Sequence, residues 1–144
     1  MSEQNKQLVH HFFDEMCNKR QLGLADALFA ANHVYHDPSS PWVAAGPAGM
    51  KELIGAYHRG FGDAHWDVHA MIEAGDTVVT RWTGSGTHTG DLVGIAPTNK
   101  RVAVDGIWMH RIAQGMIAES WNAWDMLGLL QQIGVVPAMG AAKT

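Results

Sequence analysis

The stretch WDVHAMIEAGDTVVTRWTGSGTH, residues 66–88, decides the fold. Two runs rich in valine, threonine and tryptophan flank Glu73-Ala74-Gly75-Asp76, whose glycine supplies the positive φ of a tight turn. The pattern predicts two antiparallel strands. Alternation places Val79, Arg81 and Thr83 on one face of the second strand and Val78, Thr80 and Trp82 on the other.

Working outward, Gly90 to Lys100 reads as a longer loop, Val102 to Ile112 as a third strand, and Met116 to Asp125 as a fourth after the turn Ala113-Gln114-Gly115. Met126 to Gly134 is a short amphipathic helix carrying Leu127, Leu130 and Ile133, and the last ten residues read as frayed. Upstream, Leu8, Phe12 and Met16, with Val9 and Phe13 on the flank, make one apolar face of a helix over about residues 3 to 18. Leu24 to Ala31 reads as a second short helix. His33 to Trp42, with two prolines and two serines, is an extended stretch running into a loop. Pro47 opens a third helix reaching about Arg59, stopped by Gly60 and Gly62. Helices followed by an antiparallel meander imply an α+β fold with helices on one sheet face. Residues 1–144 form one domain, without repeats or linkers.

Composition bounds the function. No run approaches the roughly 20 apolar residues that span a bilayer. The opening MSEQNKQLVHHFFDEM lacks the parts of a secretory signal, so a cytoplasmic location is expected. Net charge is −4 with no Lys/Arg cluster, which argues against nucleic-acid and polybasic membrane partners. Cys17, the single cysteine, is expected to be a buried apolar residue. Six Trp and eight Met suit either a core or a pocket for a flat apolar ligand.

On the third strand Trp108, His110 and Ile112 share a face; on the fourth, Trp121, Ala123 and Asp125 oppose Asn122 and Trp124. If these strands pair, His110 and Asp125 face a common space, the parts of an acid–base site. Each has a plainer reading. Asp125 is placed to cap the last helix, His110 can be a satisfied core histidine, and Arg81 can pair with a structural carboxylate. Among nine histidines, His33, His36 and Asp37 form H-x-x-H-D, but His33 and His36 point to opposite faces of an extended segment, so no metal site is expected. No nucleotide-binding or serine-hydrolase motif is present, so no cofactor is expected. The outer sheet face, read as carrying Trp124, Ile107 and Met109, predicts a homodimer or tetramer.

Six motifs in order carry a family resemblance: H-D-P (36–38), G-P-A-G-M-K (46–51), A-G-D-T-V-V-T-R-W (74–82), G-T-H-T-G (86–90), G-I-A-P-T-N-K (94–100) and W-N-A-W-D-M-L-G-L-L-Q-Q-I-G (121–134). Together they resemble the SnoaL-like polyketide cyclases over roughly residues 5 to 135. The resemblance implies an NTF2-like cone, a curved mixed or antiparallel sheet over three N-terminal helices around one pocket. It implies cofactor-free aldol ring closure of a flat polyketide-like carbonyl compound, with Asp125 as acid and base and His110 beside it. Relatives that hydrolyse epoxides imply Arg81 and Asp125 facing inward together, which leaves epoxide or ester hydrolysis, isomerisation, or binding alone as alternatives. Trp108, Trp121, Trp82 and Phe61 are expected to hold the rings, with His36 and His88 at the pocket rim. The chain departs from the family at Gly62-Asp63-Ala64-His65-Trp66, at Asn99 and at Gly115-Met116, which concern turns and the cone mouth.

Overall fold

A computed structural model describes residues 2–137. Helix α1, Ser2–His11, runs directly into a π-helical segment, Phe12–Asn18. The buried positions explain the wider turn: Phe12, Phe13, Met16 and Cys17 are all fully buried, and a looser winding keeps both neighbouring pairs on the core side. After a 3-10 turn at Leu22–Leu24, α2 spans only Ala25–Leu28, and β1 follows at once over Phe29–His36. The expected helix from Leu24 to Ala31 therefore gives way to strand over its last three residues. Apart from Phe29, the β-branched and aromatic residues Val34 and Tyr35 lie further along, but β1 pairs in parallel with β5, and that tertiary ladder claims the segment from Phe29 onward.

Helix α3 spans Pro47–Gly60. Gly46 enters it at φ 84°, where a β-carbon would stand 2.9 Å from the Ala31 carbonyl oxygen, and its N–H donates to the His33 carbonyl at 2.7 Å. Only glycine fits that junction. Strands β2 (His65–Ala74), β3 (Thr77–Thr87), β4 (Arg101–Ala113) and β5 (Met116–Trp124) follow, with α4 over Met126–Gln132. The sheet order is β1-β5-β4-β3-β2, all antiparallel apart from the β1–β5 pair. The mixed sheet and one face of helices agree with the α+β expectation. Most of the expected fraying lies beyond Pro137, outside the described residues.

The sheet's inner face and the helices share one core, in which Phe12 packs edge-on against Phe13, Phe29 and Trp108. Cys17 is buried there, and burial raises its thiol pKa. Two side-chain amides tie the ends of strands to helices. Asn18 donates to the Trp66 carbonyl at 2.9 Å and accepts from the Trp66 N–H at 2.8 Å. Gln132 does the same with the backbone of Ala103, at 3.0 and 2.8 Å. No helix among the described residues is long and apolar enough to cross a membrane.

Candidate functional site

The register decides what faces inward. Trp108 lies opposite Thr80 on β3 and Asn122 on β5, and Gly106 lies opposite Trp82 and Trp124. Directly opposed residues share a face, so Trp82, Trp108, Asn122 and Trp124 all look toward the helices. This corrects the expected faces of β5. Ala118 is an extra residue in its ladder with β4, where Arg111 pairs with Glu119 but Ile112 pairs with Ile117. One-residue offsets exchange the two faces of a strand, and both faces of β5 carry a tryptophan, so composition does not distinguish them.

The inward indoles enclose a cavity bounded by α3, the sheet and α4. Tyr57, Phe61, Trp66, Trp82, Trp108 and Trp124 form its aromatic walls, with Asn122 and Ser85 among its polar members. It holds about 480 Å³ of unfilled space out to its mouth, of which about 50 Å³ admits the centre of a water molecule. That is room for one flat ring system. The concavity comes from small residues under a large one. The Trp82 ring lies flat on the sheet, where a β-carbon at Gly84 would meet its Cζ3 at 3.0 Å and one at Gly106 would overlap its Cζ2 and Cε2.

Three polar atoms of cavity-lining residues have no protein partner although buried: Nε1 of Trp82, Nε1 of Trp108 and Oδ1 of Asn122. Leaving such a group unpaired costs about 1–3 kcal/mol, so a ligand or water is expected to satisfy them. Behind them lies a buried hydrogen-bonded chain. Asn122 Nδ2 donates to Tyr35 Oη at 3.0 Å, and Tyr35 donates to Asp37 Oδ2 at 2.7 Å. Trp124 Nε1 donates to the same oxygen at 3.1 Å, while the Ser39 amide and hydroxyl donate to Oδ1 at 2.9 and 2.6 Å. Burial, then the hydrogen bond to Asp37, pushes the Tyr35 phenol well above its ordinary pKa and keeps it protonated. Burial, then the nearby Asp37 charge, does the same to Tyr57.

Of the residues expected at the site, Trp82, Trp108 and Phe61 line the cavity. His110 faces inward one layer deeper. It is fully buried, stacked on Trp108 at 5.3 Å and 18°, with Phe12 and Phe13 against its edge. Neither ring nitrogen has a partner, and burial followed by the neighbouring His33 lowers its pKa to about 3. His88 is buried against Phe61, with rings 5.6 Å apart, and its Nδ1 meets Thr98 Oγ1 at 3.0 Å; it is not a rim group.

Four further expectations of placement are corrected. Asp125 is exposed, and its Oδ1 accepts from the Gly128 N–H at 2.8 Å as the N-cap of α4. Arg81 is exposed and opposite Ile107 on the outer face, because Trp82 takes the inward phase of β3. Trp121 is also on the outer face, stacked on His36 at 5.2 Å. His36 is therefore away from the rim and bonds Glu119 at 2.7 Å. His33, by contrast, points inward to Ser120 Oγ at 2.8 Å, so the two histidines of H-x-x-H-D do oppose one another.

Trp66, Trp124, Tyr57 and Asn122 on the wall, and Tyr35 and Asp37 behind it, are site residues that local sequence patterning does not single out. Tyr35 and Asp37 do alternate with His36 along one segment, a spacing that makes them neighbours on one face. That alternation is the one local signal for them.

A curved sheet wrapped over helices around an aromatic cavity defines the NTF2-like fold. The chain belongs to the SnoaL-like polyketide cyclase family, whose profile matches residues 7–133. It is similar to the nogalonic acid methyl ester cyclase of Streptomyces nogalater, 29% identical over 93 residues, which cover 64% of this chain and 69% of that protein. Among solved structures it resembles TsrD from Streptomyces laurentii, with a TM-score of 0.83 and 27% identity over 93% of this chain and 97% of that one. A SnoaL-like polyketide cyclase from Agrobacterium tumefaciens shares the fold at a TM-score of 0.73 and 13% identity, covering 90% of this chain and 98% of the other.

Proposed function

We propose that the chain is a cyclase-type enzyme closing a ring in a small, flat, conjugated carbonyl compound by an intramolecular aldol step, without a cofactor. The observation that carries this reading is the indole-walled cavity with its unpaired, buried polar atoms. The family supports ring closure, and the similar Streptomyces nogalater protein is named as a cyclase.

In this mechanism a proton leaves a carbon flanked by carbonyls, which is already acidic because its neighbouring oxygens spread the negative charge. The enolate carbon bonds to a second carbonyl carbon, and the resulting alkoxide takes up a proton. The cavity holds the two carbons together, an effect worth several kcal/mol. An indole N–H pointed at the enolate oxygen stabilises the charge where it develops. Asp125 exchanges the proton. It directly follows cavity-lining Trp124, and its carbonyl accepts from the N–H of cavity-lining Leu129 at 3.1 Å. In this role the carboxylate has to leave the Gly128 N–H that it caps and turn toward the mouth. His110 positions Trp108 from behind and does not touch substrate.

Capping and catalysis are separable, because asparagine caps a helix as well as aspartate while alanine does not. Asp125→Asn should retain stability within a few tenths of a kcal/mol and lose turnover by about 10²–10⁴-fold. Asp125→Ala should lose turnover and also about 1 kcal/mol of stability. Full turnover in Asp125→Asn would remove the carboxylate from the mechanism.

One observation favours a second reading, a container without chemistry: no carboxylate is among the described residues lining the cavity. Binding of a flat carbonyl compound with no conversion by the unmodified chain would favour it. The outward Arg81 disfavours the hydrolase alternative, which needs Arg81 and Asp125 together on the inner face.

A further inference from the structure

The three unpaired atoms of the cavity differ in polarity, and the chain behind them fixes which is which. Asp37 is buried and its carboxylate only accepts, so the single proton of Tyr35 goes to Asp37 Oδ2. Tyr35 Oη must then accept from its other neighbour, and Asn122 can donate only through Nδ2. The amide therefore cannot flip. Its Oδ1 is left as an acceptor without a partner on a side chain that is 5% exposed. Trp82 and Trp108, 4% and 1% exposed, offer donors only. Asn122 and Trp108 are directly opposed across β4 and β5, and the rings of Trp82 and Trp108 lie 6.2 Å apart. The unmet acceptor and the unmet donors thus belong to one patch of wall.

We propose that Asn122 is the specificity-determining residue of this cavity, its Oδ1 accepting a hydrogen bond from a ring hydroxyl of a ligand whose carbonyl oxygen accepts from Nε1 of Trp82 or Trp108. The ligand class is a flat hydroxy-carbonyl compound with both groups on one edge, so that one molecule meets the acceptor and a donor of the same wall. Asp37 and Tyr35 are positioning residues that hold the amide in its acceptor orientation. A ligand lacking the hydroxyl strands Oδ1 in a buried site, and so is rejected more strongly than a missing surface contact would require. This inference rests on the reading above that the cavity takes a flat carbonyl compound, but it does not depend on turnover.

The test is equilibrium binding to the full chain, followed by quenching of tryptophan fluorescence, with three probes: meta-hydroxyacetophenone, its methyl ether and acetophenone. The unmodified chain should bind the hydroxyl compound about tenfold or more tighter than either of the others. Asn122→Leu, with folding checked by its melting curve, should erase that preference by weakening the hydroxyl compound alone. Tyr35→Phe should narrow it from the other side, because the freed amide can turn its N–H₂ to the methyl ether oxygen. Equal binding of all three probes by the unmodified chain overturns the role of Asn122 and leaves the cavity intact as a carbonyl site. A folded Asn122→Leu chain that keeps the preference overturns that role as well. Binding of none of the three overturns both this inference and the flat-carbonyl reading beneath it.

Discussion

His110 shows how burial changes what one side chain can do. A histidine beside a reactive pocket would suit proton transfer if it titrated near neutrality. Here the ring is enclosed by Trp108, Phe12 and Phe13, and desolvation disfavours the cation, as does the neighbouring His33. Burial also lowers His33 to about 4 and shifts His58 downward. These rings stay neutral in the folded chain where the unfolded chain, with histidines near 6.5, takes up protons. The unfolded state thus binds more protons below about pH 6.5, and folding stability falls with pH from there toward the folded values near 4 and 3. Above that range these groups contribute no slope. Thermal melting should therefore lie several degrees lower at about pH 5 than at about pH 7.5. His110→Phe should flatten the difference. A melting temperature unchanged between those two values would contradict this account.

At the level of elements, the cavity mouth depends on two amides acting as substitute ladder partners. Asn18 meets both backbone groups of Trp66 at the start of β2, an edge strand that otherwise has a neighbour on one side only. Gln132 meets both groups of Ala103 near the start of β4, and so holds α4 against the sheet. Trp66 and Leu129, positioned by these contacts, are cavity walls. Each amide satisfies a donor and an acceptor, so Asn18→Ala should cost about 1–3 kcal/mol. A denaturant titration would show it as a lower midpoint at unchanged slope. Gln132→Ala should cost less, since its bonds are exposed, yet loosen binding of a cavity probe by releasing Leu129. If Asn18→Ala unfolds at the same midpoint, the amide is dispensable and the edge strand is held by side-chain packing alone.

For the whole molecule, the convex side of the sheet stands out. Ile72, Val79, Met109 and Trp121 are successive register partners, forming an apolar row across β2, β3, β4 and β5, with His36 on β1 beyond it. Ala70, Arg81, Ile107 and Ala123 form a second row, apolar except for Arg81. Ile72 is 65% and Ile107 51% exposed, and no helix among the described residues covers them. A contiguous apolar face of this kind is expected to be an interface. We expect it to pair with a second copy, with Trp121 in the place that alternation alone gives to Trp124. Sedimentation should give a dimer at micromolar concentration, and Trp121→Glu should give a folded monomer. A monomeric unmodified chain would refute the pairing.

The order of elements follows from local chemistry along the chain. Period-two alternation around Gly75 makes the β2–β3 hairpin legible, proline at the entrance of α3 and glycines after it mark that helix, and the apolar positions from Val9 to Cys17 mark the first. Phe61, Trp82 and Trp108 are legible as cavity walls for the same local reason, since each is the large apolar member of its strand face or helix end. Which way β5 turns is not, because Trp121 and Trp124 lie in opposite phases and either choice gives an aromatic inner face. Only pairing in three dimensions, with Ala118 as the extra residue opposite β4, selects Asn122 and Trp124 for the inside and leaves Asp125 capping α4. Likewise the parallel docking of β1 on β5 brings Tyr35 to Asn122, and Asp37 to Trp124, each across 87 positions of the chain. A hydrogen bond between groups so distant in sequence leaves no local period to read. The chain thus carries its elements in its own spacing, while the polarity of its cavity belongs to the register of its sheet.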